Sequence, residues 1–188
     1  MPPKTHRTSV VAIPPQEAWE PIQAIRRRHD RQIHRWMPHV NLLYPFLPRE
    51  QFDLAVPVLT AACQQVSVFD ATLSTFRSFT HASGRSTLWL APEPRASFGQ
   101  LQAALHTAFP DYDEQSRFSG GFTPHLSVGQ VASRRELRSL TAALQAEWQP
   151  LQFPIAAVAL IRREADGPFQ VEQWLPLSNA APFGEHTR

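Results

Sequence analysis

Two histidines in this chain are each followed, two positions later, by a small polar side chain: His39 by Asn41 and His125 by Ser127. Both pairs stand in apolar, strand-like runs, Pro38-His39-Val40-Asn41-Leu42 and Pro124-His125-Leu126-Ser127-Val128. In a strand, residues two apart project from one face, so each run would offer an imidazole and a hydrogen-bond donor side by side. A single such run is most simply a hydrogen-bonded core feature. A second copy 86 residues later, with the same order of residue types, turns the reading towards chemistry. Imidazole titrates at about 6.5, so a pair can hold one neutral and one protonated member near neutrality. Displacement at phosphorus needs that combination: one group removes a proton from the incoming oxygen and the other supplies one to the leaving oxygen. The Asn41 amide and the Ser127 hydroxyl can donate to non-bridging phosphate oxygens, where transition-state charge gathers. Such chemistry does not require a metal or any other cofactor.

The elements that must position these residues can be read along the chain. Residues 9–13 form a β-branched run closed by Pro14-Pro15, a first strand. Helical spacing of Trp19, Ile22, Ile25, His29 and Ile33 predicts a helix over 16–35, with Pro21 tolerable only in its first turn. A strand over 39–46 follows, then a helix over 48–65 that Pro57 would kink or break. Alternation predicts a long strand over 66–79, and 87–90 returns as its hairpin partner. Ser97 is placed to cap a helix to 109, residues 110–121 read as a loop, and 122–131 is a strand. Ser133 caps a helix to 148, and 153–161 and 169–177 are two strands around the turn Ala165-Asp166-Gly167-Pro168. Residues 178–188 read as an irregular tail.

Each paired run thus enters a strand, each strand leads to a helix, and each helix leads to a further strand. The chain reads as two similar α+β halves with no low-complexity linker, one bilobal unit over 1–188. Packed about a pseudo-two-fold axis, the lobes would bring His39 opposite His125, with Asn41 and Ser127 beside them.

Composition sets the context. Hydrophobic residues make up 43% and charged residues 18%, ordinary for a soluble globular protein. No apolar run approaches the roughly 20 residues of a membrane helix, and the N-terminus lacks the apolar core of a secretory signal. The single cysteine, Cys63, fits a reducing cytoplasm and reads as a small buried hydrophobe. Lys4 is the one lysine among 18 Lys plus Arg, but a net charge of +2 permits an anionic substrate without demanding one. The densest basic stretch, Arg26 to Arg35, has two readings: a solvated helix face favoured by the dipole, or a rim facing phosphate.

With both motifs in view, the chain resembles the 2H phosphoesterase superfamily, named for its paired His-x-Thr/Ser motifs, and within it the 2′-5′ RNA ligase-like and cyclic nucleotide phosphodiesterase proteins. The stretches that carry the likeness run from Arg26 through His39 to Phe46 and from Phe122 to Gln130. The resemblance implies an α+β bilobal fold with antiparallel sheets lining a central cleft and helices outside. It implies hydrolysis of 2′,3′-cyclic phosphates on nucleotides or RNA ends, or cleavage or joining of 2′-5′ RNA linkages. His39 and His125 would be the acid/base pair, motif one spanning 39–42 and motif two 125–128, with Asn41 and Ser127 as phosphate donors. Two positions depart from the usual pattern. Asn41 stands where Thr or Ser is usual, and Gln130 stands where many members carry Arg, five residues after the second histidine. An arginine from the helix ending at Arg35 is the candidate replacement.

The remaining candidates are weaker. Tyr44 and Phe122, next to the motifs, could stack on a base, whereas Phe46 reads as core. His29 and His34 read as surface residues, and Pro38 breaks any helical relation that would let His34 and His39 share a metal. The loop carboxylates of Asp111-Tyr112-Asp113-Glu114 read as solvated or as part of a lid. The expected partner is a nucleotide or RNA bearing a cyclic phosphate or a 2′-5′ linkage, with no membrane and a monomer by default. A nucleotide- or RNA-binding module that keeps the cleft with little catalysis is the alternative.

Overall fold

The β-branched run at the N-terminus forms β1 (Thr8–Ala12), in which every residue is buried. The computed structural model describes residues 3–112, 114 and 120–181. After β1 come α1 (Trp19–His29), β2 (Val40–Leu43), α2 (Phe52–Cys63), β3 (Phe69–Thr80), β4 (Ser86–Glu93) and α3 (Arg95–Ala108). The chain continues with β5 (Leu126–Val131), α4 (Arg134–Glu147), β6 (Leu151–Ile155), β7 (Ala157–Arg162) and β8 (Gln170–Pro176). Two four-stranded antiparallel sheets result, in the orders β2-β1-β7-β8 and β5-β4-β3-β6. The fold is α+β and bilobal, as expected, and each histidine motif lies on an edge strand, β2 or β5.

The lobes are not the two halves of the sequence. The chain leaves the first sheet after β2, builds the whole second sheet from β3 to β6, and returns with β7 and β8. The run 153–161, expected as one strand, is divided: Phe153 pairs with Ala71 in one sheet, and Ala159 pairs with Val11 in the other. A continuous apolar run carries no mark of such a crossing. Pro154 is tolerated because β6 is an edge strand, where a missing donor breaks no ladder bond.

Burial on both faces explains β1. Val10 and Ala12 belong to the main core, with Leu42, Leu43 and Phe46 of the motif-one segment and Leu88, Leu90, Leu126 and Val128 of the second sheet. Val11 belongs to a smaller cluster with Ala159, Ile161 and Phe169, against which Trp36, Met37 and Tyr44 pack. Cys63 is buried in the main core, and burial pushes its thiol up to about 12, which suits a small hydrophobe. Among the described residues, no helix is long and apolar enough to cross a membrane.

Helix ends follow local chemistry. α1 stops at His29 rather than at 35, because Asp30 leaves the helical region and its carboxylate accepts from the Gln32 amide at 2.9 Å. The basic stretch is thereby divided, and the solvated-face reading fails at its first member: Arg26 is 2% exposed, whereas Arg27 and Arg28 face solvent. α3 begins at Arg95, not at a Ser97 cap, with the Glu93 carboxylate accepting from the Arg95 amide. Ser133 does cap α4, accepting from the Glu136 amide at 3.2 Å. α2 continues through Pro57 without ending.

α1 packs across β5 at unusually short range. A Cβ on Gly129 would lie 2.7 Å from His29 Cβ and 3.0 Å from the His29 carbonyl oxygen, closer than atoms tolerate. Gly99, inside α3, has nothing within 4 Å of its would-be Cβ. Chemical denaturation should therefore separate two identical substitutions. Gly129→Ala should destabilise by about 1–3 kcal/mol through overpacking. Gly99→Ala should stabilise by up to about 1 kcal/mol through backbone entropy and helix propensity. Equal effects would contradict the packing described.

Candidate active site

Both histidines are oriented by the same local device. His39 Nδ1 lies 2.7 Å from the Met37 carbonyl, and His125 Nδ1 lies 2.8 Å from the Thr123 carbonyl. In each case the acceptor belongs to the residue before the proline. Proline restricts that residue to extended backbone, which presents its carbonyl to the imidazole two positions on. Donation from Nδ1 leaves Nε2 as the basic nitrogen of a neutral ring. Both rings are half-buried.

The small polar partners differ. Asn41 Nδ2 donates to His39 Nε2 at 3.1 Å, and Asn41 Oδ1 accepts from the Ser9 hydroxyl at 2.8 Å. Ser9 is fully buried and its Oγ also lies 3.0 Å from the Leu43 carbonyl; with the His39 proton on Nδ1, it is the accepting Nε2 that turns the Asn41 amide nitrogen towards the imidazole. Ser127 pairs with Trp89 across β4 and β5, which puts it on the same face as that indole. Trp89 approaches His125 edge-on at 5.9 Å, and Phe79 meets His125 edge-on at 5.0 Å. Among the described residues, the buried Trp89 indole N–H has no hydrogen-bond partner.

Matching bulges place the next side chain in each motif. Leu42 is the extra residue between the Val10–Leu43 and Val11–Asn41 pairs. Val128 plays the same part between the Leu88–Gly129 and Trp89–Ser127 pairs. A bulge resets the alternation by one residue. Leu42 and Leu43 accordingly both enter the main core, and Tyr44 returns to the His39 side among the smaller cluster. Gln130 is its counterpart in β5. The fifth residue after each histidine, which plain alternation would turn away, therefore shares its face.

Gln130 reaches from β5 to the end of α1. Its Nε2 donates to Asp30 Oδ1 and its Oε1 accepts from the Arg31 amide, both at 2.9 Å. The other Asp30 oxygen accepts from Arg26 Nε at 2.8 Å, in an ion pair whose side chains are each 2% exposed. Arg26 Nη2 then donates to the Trp36 carbonyl at 2.9 Å, and the Trp36 ring stacks on His39 at 4.5 Å. One buried ion pair thus ties the backing of His39 to the strand that carries His125.

The electrostatics favour neutral rings. Burial holds His39 well below the ordinary imidazole value, at about 4, aided by the Arg26 and His125 charges and opposed by the Met37 carbonyl and Asp30. Burial also lowers His125, against the Thr123 carbonyl. The His125 charge is among the smaller influences on His39. Among the described residues, no three His, Cys, Asp or Glu side chains converge to hold a metal ion.

A family model described as the 2′-5′ RNA ligase superfamily matches residues 14–167, a span that contains both motifs and Gln130. The chain belongs to that superfamily, the 2H phosphoesterases. No curated protein matches the sequence. Its 2H fold is similar to TT0787 of Thermus thermophilus, at 18% identity and a TM-score of 0.61 over 91% of this chain and 97% of that one. It is similar to LigT of E. coli in complex with 3′-AMP, at 18% identity and a TM-score of 0.62 over 93% and 99%. It is also similar to Kluyveromyces marxianus Usb1, at 15% identity and a TM-score of 0.50 over 92% and 99%. Membership supports a phosphodiesterase or RNA-ligase-like enzyme.

Beside His39, the structure groups Tyr44 and Arg35 with Trp36 and Phe169. Phe122 instead packs against the main core, and its carbonyl accepts from Arg95. His29 is half-buried against Gly129 rather than a surface residue. Glu114 pairs with Lys4 and Tyr112 is buried, while Asp113 and the tail from 182 lie outside the described residues. Ser9, Asp30, Trp36, Phe79, Trp89, Arg163 and Phe169 also border the two histidines or the network behind them, beyond the residues the motifs single out. A signal existed for Trp36, three residues before His39, and for Asp30, the lone carboxylate in a basic run.

Removing one member of the buried pair should show its weight. Asp30→Leu should cost about 3–5 kcal/mol in urea unfolding, because it strands the Arg26 charge. The double variant Arg26→Met/Asp30→Leu should recover a substantial part of that loss. A double variant as unstable as the single would contradict the assignment.

Proposed function

We propose that the protein is a metal-independent phosphodiesterase that hydrolyses 2′,3′-cyclic phosphates of nucleotides or RNA ends, with His39 and His125 as the acid/base pair. The observation that carries the reading is the matched Nδ1–carbonyl bond in both motifs, which leaves two Nε2 atoms as the working nitrogens. In the reaction, a neutral imidazole takes a proton from water as its oxygen bonds to phosphorus. The protonated imidazole gives its proton to the departing 2′ or 3′ ribose oxygen as that P–O bond breaks, and a phosphomonoester results. Ser127 and the Trp89 N–H, which has no partner among the described residues, are available as donors to the non-bridging oxygens, and Asn41 joins them once its amide leaves His39 Nε2. Cleavage or joining of 2′-5′ linkages uses the same groups, with a ribose hydroxyl in place of water. A cytoplasmic, monomeric enzyme fits this reading, Cys63 being the single cysteine and buried.

One observation favours a binding module with little turnover. Asn41 donates to His39 Nε2, the atom needed as base, and Gln130 is engaged by Asp30 and Arg31 rather than open to phosphate. Substrate must draw the Asn41 amide onto a phosphate oxygen before His39 can act.

Turnover of 2′,3′-cyclic nucleotides in the presence of chelator separates the two. His39→Ala and His125→Ala should each lower kcat by about 10²–10⁴-fold. Full activity in both variants would sink the mechanism, and saturable binding without turnover by the wild type would favour the binding module. The pH profile carries a sign. Both imidazoles titrate below their ordinary value in the free protein, so the protonated member is lost first as pH rises. The optimum of kcat/KM should therefore lie below about 6.5. A bound phosphate anion favours imidazolium, so the kcat profile should sit at higher pH than the kcat/KM profile.

A further inference from the structure

Among the described residues, two arginines next to the site rest on aromatic rings without an acidic partner. The Arg35 guanidinium carbon lies 5.7 Å from the Trp36 ring and 5.9 Å from Phe169, and that of Arg163 lies 5.8 Å from Phe169. Among the described residues neither forms an ion pair, and Nε of each is buried with no hydrogen-bond partner. Arg163 Nη1 makes one long bond, 3.4 Å, to the Gly167 carbonyl. The nearby Glu164 carboxylate is taken by Arg162.

These cations are built in place. The Phe169 amide donates to the Arg35 carbonyl at 2.8 Å, and the Arg163 amide donates to the Arg7 carbonyl at 2.9 Å. Phe169 stacks on Trp36 at 3.8 Å, and Trp36 stacks on His39 at 4.5 Å, so the guanidinium groups flank an aromatic stack that ends on an acid/base imidazole. Tyr44, on the same face, feels both positive charges. Packing a guanidinium on a ring recovers only part of the hydration its charge gives up, whereas a buried donor left unmet is costly. The Nε groups are sealed, but the terminal nitrogens of both guanidiniums are not among the buried unpartnered atoms, and an anion can reach them.

We propose that Arg35 and Arg163 form a second anion subsite, which takes a phosphate of the substrate other than the one attacked. The preferred substrate is then an oligoribonucleotide end, with a phosphate on the 5′ side of its terminal nucleotide, rather than a lone nucleoside 2′,3′-cyclic phosphate. The identity of that substrate rests on the reaction proposed above; the subsite itself is tested without turnover.

Calorimetric titration with a nucleoside 3′-monophosphate and the matching 3′,5′-bisphosphate reads the subsite as a ratio of affinities. Wild type should bind the bisphosphate about tenfold more tightly, the size of one charge-assisted contact. Arg163→Gln and Arg35→Gln should bring the ratio near one, and Arg163→Lys, which keeps the charge, should retain part of it. Unfolding curves identify any variant that has lost its fold, and the lysine variant then carries the test. A wild-type ratio near one, or a ratio that survives both glutamine variants, overturns the subsite. Failure of the wild type to turn over cyclic phosphates would remove the proposed reaction and leave the ratio standing.

Discussion

The structure depends on the buried ion pair between Arg26 and Asp30 at the end of α1. Two charges taken out of water need more than each other, and the fold supplies the rest. Gln23 and the Trp36 carbonyl satisfy the guanidinium; the Gln32 amide and Gln130 satisfy the carboxylate. Those partners come from α1, from the segment leading into the first histidine, and from β5 of the other lobe. The arrangement thereby joins the two lobes through one buried network. It also fits the end of α1 at His29, which packs so close to β5 that a Cβ on Gly129 would crowd it.

Around that pair, one device is used twice. A carbonyl before a proline orients an imidazole, a small polar residue follows two positions on, and a bulge brings the fifth residue to the same face. The surroundings of the two copies then diverge. His39 stacks flat on Trp36 and is engaged by an amide held by Ser9. His125 meets Phe79 and Trp89 edge-on, beside a hydroxyl and an indole N–H with no partner among the described residues. Similar imidazoles in unlike surroundings are a reasonable starting point for unlike roles in proton transfer.

Much of this is legible in the chain because its signals are local. The repeated Pro-His-apolar-polar order marks both edge strands, and helical periodicity finds the helices within a few residues of most of their ends. What escapes is non-local. No residue in 153–161 announces that the chain changes sheets at Ala156. Arg26 reads as one arginine of a solvated row, and only the approach of β5 and Trp36 makes it a buried residue. Gln130 stands out as a departure from the family pattern, yet its side chain spans the two lobes. Phe122 stands out through adjacency to a motif, which does not decide the face on which a ring packs.

The proposed acid/base roles put His39 and His125 on the two sides of one phosphorus atom. A crystal structure with a bound nucleoside 3′-monophosphate tests it most directly. The phosphate should lie between the two imidazoles, with both Nε2 atoms within hydrogen-bond reach of its oxygens and with Asn41 and Ser127 donating to it. A phosphate bound away from either ring, or imidazoles too far apart to share it, would contradict the account.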